Sequence, residues 1–230
     1  MPASDPNAGS DTDGEPSRAA VRRTYEDIGD HFSKTREYAW PEVEAFVDES
    51  SSAGTALDVG CGNGRHAELL AEVADRVVGL DASRALLQAA TDRVGDSVTL
   101  LQGDATRLPL ASESVGLAVY VATLHHLPSQ AARRASLDEL ARVLAPGARA
   151  LVSAWSTAHD RFDADPDADA GFDTTVDWTL PGGETVPRFY HIYTPAEFER
   201  DVADSDLRLV SMELSSGNCY GVVEPEGKRT

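Results

Sequence analysis

Apolar residues along the chain follow two periods that trade places. Short runs rich in Val, Leu and Ala at 55–60, 76–80, 98–101, 115–121 and 148–155 predict strands. Segments 64–74, 83–94 and 129–144 carry apolar positions at the spacing of one helix face. Strand alternating with helix predicts a parallel sheet with right-handed crossovers, an α/β fold of the Rossmann-like kind with helices flanking the sheet. Pro146-Gly147 is expected to close the third of these helices. A helix over 195–204, with Thr194 as N-cap and Pro195 at its first position, and strands near 207–214 and 218–223 complete a seven-stranded, mostly parallel sheet.

The flanks of this core read differently. Val21, Tyr25, Ile28 and Phe32, then Val43, Phe46 and Val47, fall at helix-face spacing with a break at Trp40-Pro41. They predict an N-terminal helical cap over 19–50, ahead of a domain spanning 51–230. Residues 1–18 have no apolar period and are predicted to be a disordered acidic tail. Residues 156–187 break the alternation with acids, Pro and Gly, and are expected to form a long insertion on the substrate side, because ligands of such sheets bind beyond the carboxyl ends of the strands.

The chemistry concentrates where the first strand ends. Leu57-Asp58-Val59-Gly60-Cys61-Gly62-Asn63-Gly64 runs an apolar strand into glycines that remove the Cβ atoms blocking a ligand, with a helix start aiming free N–H groups at it. A dinucleotide site wants Gly-x-Gly-x-x-Gly, whereas the spacing here is Gly-x-Gly-x-Gly. Asp58 precedes the glycines, Asp81 ends the second strand and suits a ribose diol, and Asp104 follows the third, where it can accept from an adenine amino group. Three acid-tipped strand ends are more than a glycine-rich turn before an ordinary helix explains.

With these motifs, residues 55–153 resemble the S-adenosylmethionine-dependent methyltransferases of the Rossmann-like class. The resemblance implies S-adenosylmethionine as cofactor, held by Asp58, Gly60, Cys61, Gly62, Gly64, Asp81, Ala82, Asp104, Ala105 and Val121. Segments outside the core narrow it further. Tyr25 to Arg36 with its His-Phe-Ser-Lys-Thr-Arg end, Trp40-Pro41, Leu124-His125-His126, Trp155, Trp178 and Arg188-Phe189-Tyr190-His191 together resemble the tRNA wobble-uridine methyltransferases that esterify 5-carboxymethyluridine at anticodon position 34. The chain departs from that family at Asn218-Cys219-Tyr220, where a tryptophan is expected after the asparagine.

That resemblance implies the tRNA anticodon loop as substrate and a small zinc-binding methyltransferase activator protein as partner. A carboxylate is ionised at neutral pH and attacks a sulfonium methyl without a general base, so placement is the main task. Arg36 and Arg188 are the candidates for a clamp on the oxygen that does not react, with His191 as a third catalytic candidate. Trp40, His125, Trp155, Trp178, Tyr190 and Asn218 are the candidate walls for the extruded base. Plainer roles stay open: a surface ion pair for Arg36, a structural hydrogen bond for His125 or His191, strand packing for Trp155. Alternative functions are a small-molecule methyltransferase, a non-catalytic cofactor-binding scaffold and an NAD-dependent dehydrogenase, the last disfavoured by its glycine spacing.

Composition adds limits. At 230 residues the chain suits one well-cored domain. No run approaches the ~20 apolar residues that span a bilayer, so a soluble, cytoplasmic protein without a membrane partner is expected. Cys61 and Cys219 supply neither a disulfide framework nor a cysteine metal cluster, and no metal site is expected. The net charge is −19, and of 20 basic residues only Lys34 and Lys228 are lysines, as expected of a halophilic, salt-adapted protein. Such a chain repels itself in dilute buffer, whereas at molar salt the Debye length is ~3 Å. The melting temperature should therefore rise between low and molar potassium chloride, and a flat or falling value would contradict this reading.

Overall fold

A computed structural model describes residues 16–165 and 168–227. Most of the predicted acidic tail, residues 1–15, lies outside the described residues. The chain orders itself as α1 (Arg18–Ser33), α2 (Pro41–Asp48), β1 (Ala53–Val59), α3 (Arg65–Leu70), β2 (Ala74–Asp81), α4 (Arg84–Val94), β3 (Val98–Gln102), β4 (Val115–Val121), α5 (Gln130–Val143) and β5 (Leu144–Trp155). It continues through β6 (Phe172–Thr179), β7 (Thr185–Ile192), α6 (Pro195–Ala203), β8 (Leu207–Ser215) and β9 (Asn218–Pro225).

Seven strands form one sheet in the order β3-β2-β1-β4-β5-β9-β8. β1 to β5 run parallel, and β9 returns antiparallel beside β5 with β8 antiparallel at the edge. The apolar runs are nearly continuous because the central strands are covered on both faces. One core packs Leu57, Tyr120 and Val152 against Leu137 and Leu140 of α5 and Phe198 of α6. The other packs Ala56, Val119 and Leu151 against Val43 and Phe46 of α2 and Leu70 of α3. Strand order reverses between β1 and β4, and the crevice beyond their carboxyl ends is where such sheets bind ligands.

The N-terminal cap is two helices, as the pattern predicts. α1 docks because the Glu26 carboxylate accepts from the Arg84 and Ala85 N–H groups at 2.8 and 2.9 Å, filling the N-terminus of α4 with negative charge. α2 begins at Pro41, whose missing N–H is harmless at a first helical position.

Three expectations are corrected. α3 stops at Leu70, since β2 starts at Ala74, where Ala53 of β1 pairs with it. Pro146-Gly147 does not cap α5: it lies within β5, where the register against β4 shifts between Val115 and Leu117 and no ladder N–H is needed. The insertion after β5 is not wholly irregular, because β6 and β7 form an antiparallel hairpin apart from the main sheet, turned at residues 180–184 with Gly183 at φ 84°. Its alternating Thr and Asp hid it, since one face meets solvent.

Charged groups buried beneath the hairpin tie it to α5 and α6. Asp201, 1% exposed, accepts from Gln130 Nε2 at 3.0 Å, Arg134 Nε at 2.9 Å and the Tyr193 hydroxyl at 3.3 Å. Arg133 lies 3.7 Å from Glu197 and 3.9 Å from Asp201. Burial pushes the Glu197 carboxyl up, but the His191 ring, the Gly171 N–H and Arg133 together bring it below its ordinary value. Removing one partner of a buried ion pair strands the other, so Asp201→Ala should cost about 3–5 kcal/mol in denaturant unfolding. Because the folded state holds Glu197 ionised, its contribution is full above the usual carboxylate range and lost as pH falls through it. Glu197→Gln should therefore flatten the acid limb of the stability profile, and an unchanged acid limb would refute the assignment.

Candidate active site

The glycine loop carries the chain around the end of β1 by a turn that only glycine makes at its first position. Gly60 has φ 73°, and a Cβ there would lie 2.1 Å from Thr123 Oγ1. Its N–H and that of Cys61 both donate to the Leu80 carbonyl, at 2.6 and 3.0 Å, pinning the loop to β2. Gly62, at φ 54°, would point a Cβ into open space, so bare backbone faces a cavity of about 1090 Å3. That exceeds the roughly 300–1,000 Å3 of an ordinary ligand site and leaves room for two reactants.

Acidic groups line one end of this cavity. Asp81 accepts from Gly62 N–H at 2.9 Å and Ser83 N–H at 2.8 Å, leaving lone pairs free on both oxygens. Burial raises its carboxyl to about 6, opposed by the Ser83, Gly62 and Ala82 N–H groups. Ala82, Asp104, Ala105 and Val121 line the same end. Asp104 is engaged by the Arg18 guanidinium and by Thr106, so its carboxylate is not free in this conformation.

Aromatic rings and two arginines form the other end. The Arg36 guanidinium stands 4.6 Å from the Phe32 ring centre and 5.8 Å from that of Trp178. Arg188, 7% exposed, stands 4.9 Å from Trp178 and 5.2 Å from Tyr190. Among the described residues no carboxylate lies within ion-pair distance of either arginine, and Arg188 Nε has no hydrogen-bond partner. Burial lowers the Arg36 pKa, and Arg188 adds to this while the Tyr190 and Tyr25 hydroxyls oppose it. Trp155, Tyr190, His125 and Asn218 continue the wall, with Tyr190 5.1 Å from both Trp155 and His125. His125 Nδ1 accepts from the Trp155 N–H at 2.8 Å, which places its proton on Nε2 and fastens the end of β5. Trp40 lies under Arg65, whose guanidinium sits 4.8 Å from its ring.

Four expected site residues stand elsewhere. His191 does not border the cavity: its Nδ1 pairs with Asp173 at 2.7 Å and its Nε2 with Glu197 at 3.1 Å, so both nitrogens are taken up in bracing the hairpin. Asp58 is buried behind the glycine loop with Oδ2 unpartnered, and burial, then Asp81, raises its carboxyl to about 7. Gly64 packs inward, where a Cβ would lie 2.9 Å from Val94. Trp178 backs the arginines rather than lining the cavity, its Nε1–H donating to His31 Nδ1 at 3.0 Å.

Other residues of the site escaped sequence reasoning. Asn63 donates to the Ser33 and Arg36 carbonyls at 3.1 and 2.8 Å, tying the glycine loop directly to the Arg36 segment. Arg93 holds the Glu37 carbonyl at 2.9 Å and Arg65 that of Tyr38 at 3.2 Å. Tyr25, Phe32 and His126 also line the cavity. The run from Tyr25 to Arg36 and the segment Leu124-His125-His126 gave a signal, whereas the contacts of Asn63, Arg65 and Arg93 join residues far apart in the chain.

Residues 57–152 match the family model described as a methyltransferase domain. A tRNA (carboxymethyluridine(34)-5-O)-methyltransferase of Arabidopsis thaliana is 36% identical over 140 residues, 61% of this chain and 33% of that protein, so the chain spans about a third of this relative's length. The Schizosaccharomyces pombe protein of the same name is 29% identical over 89% of this chain and 95% of its own. Among solved structures, a chain from the complex of the Haloferax volcanii Trm112 methyltransferase activator superposes with a TM-score of 0.68 at 15% identity, covering 91% of this chain and 99% of that one. The DhpI–SAM–HEP complex superposes at 0.71 and 18% identity over 92% and 100%. The glycine loop, the acid-tipped strand ends and the match over residues 57–152 identify this part of the chain as a methyltransferase domain of the S-adenosylmethionine-dependent kind.

Proposed function

We propose that the protein methyl-esterifies a carboxylate, that of 5-carboxymethyluridine at the wobble position of tRNA. One observation carries the reading: two arginines that line the cavity, with no carboxylate partner among the described residues, stand against aromatic rings. Unpaired arginines are common on the surface, but of the two buried ones among the described residues Arg133 has Glu197 and Asp201 beside it and Arg188 has no carboxylate. A buried cation costs several kcal/mol unless an anion compensates it, and a ligand carboxylate is the anion this arrangement fits. The tRNA methyltransferases among its relatives support the identity of that ligand.

S-adenosylmethionine fits the other end. Gly62 offers backbone without a Cβ, and Asp81 keeps acceptor lone pairs suited to a ribose diol. Bound there, it supplies an electrophilic methyl carbon on a sulfonium sulfur. The chain's own part is to hold and orient the acceptor. Arg36 and Arg188 grip one carboxylate oxygen and leave the other free, and no base is needed because the acid is already ionised. Trp155 and Tyr190 exclude water and offer faces to a base, each stack worth ~1–3 kcal/mol. The likeness to the chain from the Haloferax volcanii activator complex supports a similar small activator as partner here.

Nucleoside mass spectrometry of tRNA from a strain lacking the gene tests the assignment. Carboxymethyluridine should accumulate while its methyl ester disappears; unchanged wobble uridines would overturn the assignment and favour a small-molecule acid as acceptor. With purified protein, Arg188→Ala should retain cofactor affinity and lose methyl transfer by about 100-fold or more, the scale of a lost charge-assisted positioning contact.

Cofactor affinity should also depend on pH with a fixed sign. Asp81 must be ionised to accept ribose hydroxyls, burial raises its carboxyl to about 6 before the cofactor binds, and binding therefore releases a proton. By calorimetry the affinity should rise with pH up to about 6 and level off above it, and Asp81→Asn should bind weakly without that dependence. Affinity that falls with rising pH would contradict Asp81 as the ribose acceptor.

A further inference from the structure

We infer that Tyr25 and His126 form a hydrogen-bonded relay that aims Arg188, making both of them positioning residues for the acceptor carboxylate. The relay begins on the residue next to Arg188. The Phe189 carbonyl of β7 lies 2.9 Å from His126 Nδ1, and a carbonyl oxygen only accepts, so Nδ1 carries the proton. His126 is neutral, because burial lowers its pKa to about 4 and Arg188 lowers it too, against the Phe189 bond. Its Nε2 is therefore a bare acceptor. The Tyr25 hydroxyl, 2.9 Å from that nitrogen, must be the donor.

The direction of that proton decides what Tyr25 shows to the cavity. With its hydrogen committed to His126, its oxygen turns lone pairs outward, an acceptor for a cation. Arg188 is the nearby cation: the Tyr190 ring packs against both His126 and the Arg188 guanidinium, and the Arg188 charge lowers the Tyr25 pKa against the larger effects of burial and of Tyr190. Packing fixes the same arrangement. Tyr25 stands edge-on to Phe32 at 5.5 Å and to His126 at 5.0 Å, and Tyr190 sits 4.5 Å from His126 and 5.2 Å from the Arg188 guanidinium. One end of the relay is thus fixed to the backbone neighbour of Arg188, and the other lies where the guanidinium charge acts on it.

The relay also joins three elements: α1 through Tyr25, the turn after β4 through His126, and the hairpin through Phe189. A tilt of the cap opens the Tyr25 bond and releases the arginine. Acceptor capture then depends on the cap being docked, which Glu26 secures on α4.

The inference rests on the carboxylate reading of Arg188, and the test separates the two. In the first arm, methyl transfer to an anticodon stem-loop bearing 5-carboxymethyluridine is followed for Tyr25→Phe, His126→Phe, the double variant and His126→Gln, which keeps an acceptor for Tyr25. Tyr25→Phe should lower kcat by about tenfold or more, the scale of one hydrogen bond to a charged group, with little change in acceptor KM and unchanged cofactor affinity. The double variant should be no worse than its poorer parent, and His126→Gln should recover part of the loss. Additive losses, an equal fall in cofactor affinity, or unaltered kinetics would overturn the relay. In the second arm, which needs no acceptor, nitrogen NMR of the histidines should show His126 protonated on Nδ1 and its Nε2 signal moved by Tyr25→Phe. A proton on Nε2, or an Nε2 signal indifferent to Tyr25, would overturn the relay even if the stem-loop is methylated. Conversely, a wild-type protein inert on the stem-loop but with these NMR signatures would leave the relay standing and sink the carboxylate reading.

Discussion

A guanidinium taken out of water without a counter-charge is the constraint around which the substrate side of this protein is built. Arg188 is nearly buried, borders no carboxylate among the described residues and leaves Nε unpaired, while Arg36 stands against the same Phe32–Trp178 pair. Aromatic faces offset some of the lost hydration through cation–π attraction, about 2 kcal/mol or more for a desolvated contact. The remainder is a standing demand for an anion. Where the fold buries charge for stability alone it does so differently, as Asp201 and Arg133 show with partners on several sides.

That contrast divides the molecule. The Asp201–Glu197–His191 group anchors the hairpin to α5 and α6 and sets where β7 lies, and β7 in turn carries Arg188 and Tyr190. From the other side, Asn63 links the glycine loop to the backbone of Arg36. The two arginines therefore reach the cavity from separately braced segments, one tied to the cofactor loop and one to the back of the sheet. A cavity preorganised in this way spends little of the acceptor's binding energy on ordering side chains.

The sheet was legible because a strand covered on both faces must be apolar and a crossover helix must be amphipathic, and both leave their period in the chain. The glycine loop was legible because Gly60 and Gly62 do what no other residue does there. The hairpin was not, since Asp173, Thr174 and Thr175 read as loop, and Pro187 within β7 argued against a strand. His191 was misplaced for a related reason: its neighbours Arg188 and Tyr190 enter the cavity, but strand geometry sends alternate side chains to opposite faces. Asn63, Arg93 and His126 act through backbone carbonyls of distant segments, and a carbonyl leaves no mark on the identity of the residue that carries it.

Methyl transfer from labelled S-adenosylmethionine to two matched anticodon stem-loops, one bearing 5-carboxymethyluridine and the other the corresponding neutral amide, tests the central claim most directly. The account predicts that the carboxylate is labelled and the amide is not, because the amide has no charge to satisfy Arg36 and Arg188 and no ionised oxygen to accept the methyl group. Labelling of both, or of neither while the cofactor binds, would contradict it.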